Sequence, residues 1–192
     1  MSLVILLVIL VPLVLIVLVA LFAIGLYNAL QRKKLNAENA WSDIDVQLKR
    51  RHDLIPNLVN SVKGYAAHEK ETLEGVTAAR NAAVDANGVA AQAGAENMLT
   101  QSLGKLFAVA EAYPDLKANT NFLQLQEELT STENKIGFAR QHYNRSVNQY
   151  NEATKTFPSN IIAGMFGFSD MNFFELDEAE AAAVKKAPDV QF

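Results

Sequence analysis

Histidine is the side chain best suited to proton transfer and metal binding near neutral pH. The chain has three, His52, His68 and His142. Neither chemistry finds its usual spacing around them. A helical zinc site of the His-Glu-x-x-His type needs a second histidine four residues on, but His68-Glu69 is followed by Glu71 and Thr72 with no second histidine. A di-iron site in a helical bundle needs Glu-x-x-His pairs, and the residues three before the histidines are Lys49, Tyr65 and Ala139. No phosphate loop, dinucleotide fingerprint or nucleophile elbow is present. The absence of cysteine removes disulfides, thiolate metal sites, iron–sulfur clusters and thiol catalysis. No catalytic residue, cofactor or metal ligand is therefore assigned, and the chain reads as a non-enzyme.

The run Lys49, Arg50, Arg51 and His52 is the other group with chemical potential. With 17 basic and 21 acidic side chains the net charge is −4, so nothing pulls the chain towards nucleic acid. The run also lacks interleaved aromatics, and no nucleic-acid partner is expected. Arg51 falls on the apolar seam of its helix. Its stem is expected to be buried and its head paired with Glu127, Glu128 or Glu133. Further along, Arg140, Asn144, Asn148 and Asn151 line the polar side of another helix, where amides either bond across helices and fix register or face water.

The elements that must position these residues begin with a sharp division of charge. Residues 1–31 carry no charged side chain, and every acidic and basic residue lies beyond them. Leu3 to Leu26 is almost unbroken Leu, Val and Ile, about 36 Å of helix at 1.5 Å per residue against a bilayer core of about 30 Å. It lacks a basic n-region and a small-residue cleavage pattern, so an uncleaved anchor is expected. Arg32, Lys33 and Lys34 follow directly, and the positive-inside rule puts the polar part in the cytoplasm, with periplasmic exposure as the alternative. Gly25 and Ala29 form a small-xxx-small pair able to bring membrane helices together.

Beyond the anchor the periodicity is helical throughout. Ala37, Trp41, Ile44, Leu48, Arg51, Ile55, Leu58, Val62 and Tyr65 alternate steps of four and three, a heptad seam. Pro56 should kink this helix or restart it, and Gly64 should end or bend it. A second helix is expected over about 69–86, a loop over 87–94, a third helix over about 95–113 stopped by Pro114, and a long fourth over about 119–157. The expected fold is all-α: a transmembrane helix continuing into an antiparallel four-helix bundle whose first and fourth helices are long and whose middle pair stay under about 30 Å. The expected domains are the anchor, 1–31, the bundle, 32–157, and a C-terminal part, 158–192. That part opens with Ile161, Ile162, Met165, Phe166 and Phe168, too many apolar groups for a free tail. They are expected to pack around Trp41 at the bundle base, or else to touch the membrane or another subunit. The acidic, Ala-rich end is expected to form a short helix and a loose terminus.

RRHDLIPNLV at residues 50–59 and ARQHYN at 139–144 are specific strings, accompanied by YPDLKANTNFLQLQEELTSTENKI from Tyr113 and FPSNIIAGMFGF from Phe157. With the anchor, they resemble the LemA family over essentially the whole chain. The resemblance implies a helical bundle on one N-terminal membrane helix in the bacterial inner membrane, and no catalytic role transfers with it. The family motif residues here include Trp41, Asp43, Arg51, Asp53, Leu54, Pro56, Asn57 and Leu58. Tyr113, Pro114, Leu116, Arg140, Tyr143, Asn144, Tyr150 and Asn151 complete them. Such residues serve either to satisfy one another around a kink at Pro56 or to form a surface where subunits meet.

The expectation drawn from all this is a non-catalytic membrane-anchored scaffold that self-associates or binds another envelope protein. Its partners are then membrane lipid, further copies of itself and such a protein. A lipid-surface remodeller acting through residues 158–170 is the alternative, and a membrane-bound metal protein or enzyme the least favoured.

Overall fold

Hydrophobic steps of three and four become helix wherever they occur. The structure, a computed structural model, describes residues 2–175, with side chains from Leu6 onward. All regular structure among the described residues is helical: α1 Ser2–Lys63, α2 Lys70–Asp85, α3 Val89–Glu111, α4 Pro114–Lys117, α5 Thr120–Lys155 and α6 Ser159–Phe166. The acidic end from Asp177, including Lys185, Lys186 and Pro188, lies outside the described residues.

The anchor and the first polar helix are one element of 62 residues. Pro56 does not restart it, and the helix is unbroken to Lys63. Gly64 follows the last turn, and the Tyr65 and Ala66 amides close on the Val62 carbonyl. The expected loop over 87–94 shrinks to residues 86–88. Ala90, Ala91 and Ala93 are strong helix formers, so only a short turn remains, with Ala86 extended and Gly88 at φ 86°. The third helix is thus 23 residues long, about 35 Å, longer than expected. Pro114 opens a turn as well as closing one, since it sits at the start of α4, where its missing N–H has no helical partner to lose. Asn119 caps α5 by accepting the Phe122 amide at 3.1 Å.

The chain divides into two compact units, residues 1–40 with 144–171 and residues 41–143 with 172–192. In the second, α1, α2, α3 and α5 share one apolar core. Ile55, Leu58 and Val62 meet Leu73 and Val76, Leu99, Leu103 and Leu106, and Phe122 and Leu129. Each such side chain contributes about 1.5–3 kcal/mol when fully buried, and the α1 seam from Ile44 to Val62 is buried throughout. In the first unit Leu30, Ile162 and Ala163 form a cluster flanked by Ala23, Leu26, Tyr27, Ala153 and Phe168, and Ala37, Ala40, Val147 and Tyr150 are buried as well.

Candidate functional site

A heptad seam forces Arg51 inward, so its charge needs partners inside the second unit. The guanidinium donates to Glu96 Oε2 at 3.0 Å and Thr100 Oγ1 at 2.7 Å, and pairs with Glu133 Oε2 at 3.2 Å. The buried partner, Glu96, was not among the carboxylates expected from sequence, whereas Glu133 was. Of the other two, Glu128 lies 3.8 Å from Arg50 instead. Glu96 has more to accept: His52 Nε2 lies 2.7 Å from Oε1 and Gln92 Nε2 donates to the same oxygen at 3.0 Å. A carboxylate only accepts, so His52 donates from Nε2. Arg51, His52 and Glu96 are all nearly inaccessible to water, at 4, 7 and 3% exposure.

Pro56 belongs to this arrangement. A proline within a helix has no N–H for the carbonyl four residues back, here that of His52. Arg80 of α2 supplies the missing donor, its Nε reaching the His52 carbonyl at 3.3 Å. Gln92 likewise donates to the Ala83 carbonyl at 3.0 Å. One polar layer therefore ties α1, α2, α3 and α5 together. A cleft of about 330 Å³ opens beside it, lined in part by Arg51, Glu96, Thr100, Glu133, Arg140 and Phe174. The Arg51 fork in its wall is already committed to two carboxylates and a hydroxyl.

The remaining motif residues do other work. Asp53 is exposed and pairs with Lys49 at 2.9 Å, which holds its carboxyl below the usual value. Pro56 and Asn57 are exposed too. Trp41 stacks edge-on against Tyr143 and Phe174, each with ring centroids 5.4 Å away. Tyr143 is fully buried and donates to the Asn172 carbonyl at 2.8 Å, and burial raises its hydroxyl above the ordinary pKa.

In the first unit, one face of α5 holds the chain that follows α6. Tyr150 donates to the Ser169 carbonyl at 2.9 Å. Asn151 donates to the Met171 carbonyl and accepts the Met171 amide, both at 2.9 Å. Thr154 donates to Asp170 at 3.1 Å, and Lys155 reaches the same carboxylate at 2.6 Å. That lysine is the main reason the Asp170 carboxyl sits below its ordinary pKa; burial, then the charges of Asp170 and Glu38, raise that of Tyr150. Asn151 thus bonds to backbone rather than facing water. Asn144 and Arg140 are half-buried.

The apolar C-terminal segment is the short helix α6. Ile162 and Ala163 pack against Leu30, while Phe166 and Phe168 meet the Tyr27 ring edge-on at 4.9 and 5.5 Å. Gly167, at φ 71°, closes it, and the Phe168 amide bonds to the Ala163 carbonyl at 3.0 Å. Ile161, Met165 and Phe166 remain exposed, as do Gly25 and the side chains of 6–19. Ala29 is half-buried. Of the histidines, His68 and His142 are exposed. Among the described residues no three His, Asp or Glu side chains are grouped to hold a metal ion.

The one helix long and apolar enough to cross a membrane among the described residues starts at the N-terminal end. Together with helices whose buried charges pair internally, it defines the class: an all-helical, membrane-associated protein. The chain belongs to the LemA family, whose model matches residues 40–192. It is 29% identical over 165 residues to Protein LemA of Metamycoplasma hominis, covering 84% of this chain and 74% of that protein. It is 25% identical over 175 residues to Magnetosome protein MamQ 2 of Paramagnetospirillum magneticum, and over 174 residues to Magnetosome protein MamQ of Magnetospirillum gryphiswaldense. Those matches cover 78 and 77% of this chain and 64% of each relative, so the chain spans just under two thirds of the magnetosome proteins' length.

Proposed function

We propose that the chain is a non-catalytic scaffold, anchored in the bacterial inner membrane by a single span, that acts by holding copies of itself or another envelope protein at the membrane. The carrying observation is the continuity of α1: exposed apolar side chains from Leu6 to Ile24 pass, in one helix, into a core whose buried Arg51 and Glu96 are fully paired within the protein. Buried charges that satisfy one another set the register of helices, which is the work of a framework. The family relatives described as magnetosome proteins fit a role tied to a particular membrane. Arg32, Lys33 and Lys34, just beyond the span, support a cytoplasmic position for the polar helices. Gly25, with open space around it, leaves room for a neighbouring helix.

The test is the mass of the full-length chain in a gentle detergent, measured over a range of protein-to-detergent ratios. Assemblies that dissociate on dilution, and that Gly25→Leu weakens, are expected. A strict monomer at every ratio, with no stoichiometric partner from its native membrane, overturns the proposal.

A further inference from the structure

Among the described residues nothing covers the outward face of α6, while its inner side packs against α1. Ile161 and Met165 stand one helical turn apart on its outward side, 54 and 72% exposed, with Phe166 at 60% beside them and Phe157 at 79% just before the helix. No charged side chain occurs from Phe157 to Phe168. A bare apolar surface of this kind on a protein marks a contact site. Its location says with what. The opposite side of α6 rests on Ala23, Leu26, Tyr27 and Leu30, the last turns of the apolar span and the turn beyond it. Arg32, Lys33 and Lys34 come next along α1.

That order is the order of a membrane boundary. Tyrosine and tryptophan gather where acyl chains give way to head groups, and lysine and arginine just outside. Tyr27 marks that level on α1, and the Tyr27–Phe166 ring contact at 4.9 Å carries α6 to the same level. At eight residues α6 is about 12 Å long, far too short to cross a bilayer. Its exposed stripe lies beside the exposed apolar side chains of the span, because its inner side packs on Ala23, Leu26 and Tyr27.

We infer that α6 is a second membrane contact, an interfacial foot whose Ile161, Met165 and Phe166 side chains insert at the acyl–head-group boundary of the leaflet where the span ends. The foot rests on the anchored-scaffold reading, because its depth is set by the span. Two attachments stop the anchor from acting as a simple tether: the helix can neither rotate freely about its axis nor slide in depth without pulling Phe166 out of the interface. The occupant is lipid rather than a second copy, since the stripe lies beside a surface that already faces acyl chains.

The experiment uses the full-length chain in phosphatidylcholine–phosphatidylglycerol vesicles whose lipids carry bromine at shallow or deep acyl positions. Trp41 is the single tryptophan, so Trp41→Phe provides a silent background for Met165→Trp, Ile161→Trp, Phe22→Trp and Phe138→Trp, with circular dichroism confirming that each variant is folded. Shallow bromine should reduce the emission of Met165→Trp and Ile161→Trp at least about two-fold, deep bromine that of Phe22→Trp, and neither that of Phe138→Trp. Quenching of Phe22→Trp without Met165→Trp or Ile161→Trp overturns the foot and leaves the anchor standing. Loss of quenching at Phe22→Trp as well overturns the anchored reading itself. Protection of Met165→Trp that disappears when protein is diluted in lipid puts a second copy on α6 and overturns the lipid assignment.

Discussion

The two compact units draw on the same long helices, α1 and α5, but are held by different chemistry. The second has a broad aliphatic core crossed by an ionic layer in which Arg51, His52 and Glu96 satisfy one another out of water. The first has a small apolar cluster of Leu30, Ile162 and Ala163, with Ala37, Ala40, Val147 and Tyr150 also buried, and adds hydrogen bonds from α5 side chains to the backbone after α6. Most of its apolar surface points outward. The second unit therefore meets the ordinary requirements of folding in water, whereas the first is built for a boundary between two solvents. Pairing in one unit is closed and in the other it clamps a passing segment, so mutations should separate them.

The largest separation is expected at Glu96. Replacing Glu96 with Leu strips a buried Arg51 and His52 of their shared acceptor, and breaking a buried pair in this way costs about 3–5 kcal/mol. Arg51→Leu together with Glu96→Leu should lose much less than the sum of the two single changes. Denaturant unfolding of the full-length chain in detergent measures both. Additive losses would mean that the layer is not a coupled unit.

In the other unit the corresponding lesion is Asn151→Ala. It leaves the Met171 amide and carbonyl without their partners, worth about 2 kcal/mol for two hydrogen bonds of ordinary strength. The effect should be local: faster amide exchange at Met171, with the amides of Leu99 and Leu106 unchanged. Equal acceleration in both units would erase the distinction drawn between clamp and core.

These two sites also show what a sequence can and cannot disclose. The helices and the inward position of Arg51 followed from heptad spacing, because burial along a helix is a local, periodic property, and the anchor followed from an uncharged apolar run. Glu133 was legible as a partner of Arg51 too, but the buried partner Glu96 was not, because it depends on where α3 begins. Residues 87–94 read as a loop, and that placed Glu96 in the first turn of the third helix, ahead of the apolar residues that mark its buried face. The helix starts at Val89, which sets Glu96 two turns inside and facing Arg51. The partner of Trp41 was hidden for a similar reason. Phe174 lies beyond the last periodic segment, where nothing in the spacing announces that it is buried, at 2% exposure. Asn151 was legible as a polar residue beside a seam, but its partner is backbone, and a backbone acceptor leaves no mark on the sequence.

A smaller effect probes how the ionic layer is joined to α2. Arg80→Ala removes the donor that replaces the missing Pro56 N–H, whereas Pro56→Ala restores a helical donor to the same His52 carbonyl. The two changes should therefore be coupled by about 1 kcal/mol, the size of one net hydrogen bond, with Arg80→Ala better tolerated in the Pro56→Ala background. A double-mutant cycle on unfolding free energies reads this directly. Zero coupling would show that Arg80 and Pro56 act independently.

The smallest expected effect is one of pH, and it returns to the contrast between units. Asp170 and Asp53 are both exposed carboxylates held below their ordinary value of 3.8, each chiefly by a lysine hydrogen bond, from Lys155 and Lys49 respectively. For a carboxyl whose folded pKa is lowered, the unfolded form takes up protons first. Its stabilising contribution is thus complete above the ordinary value and is lost as pH falls through the folded one. The consequences differ by location. Lys49 and Asp53 are four apart on one helix, so protonating Asp53 releases nothing but a surface pair. Asp170 joins the segment after α6 to Thr154 and Lys155 on α5, so its protonation loosens the clamp. As pH falls below the ordinary carboxylate value, the Met171 amide should lose protection relative to its intrinsic exchange rate. Added salt should weaken the effect, because exposed pairs are screened. Asp170→Asn should flatten the profile and Asp53→Asn should leave it unchanged. A profile that follows Asp53 instead would place acid sensitivity in the unit with the closed core and invert the comparison.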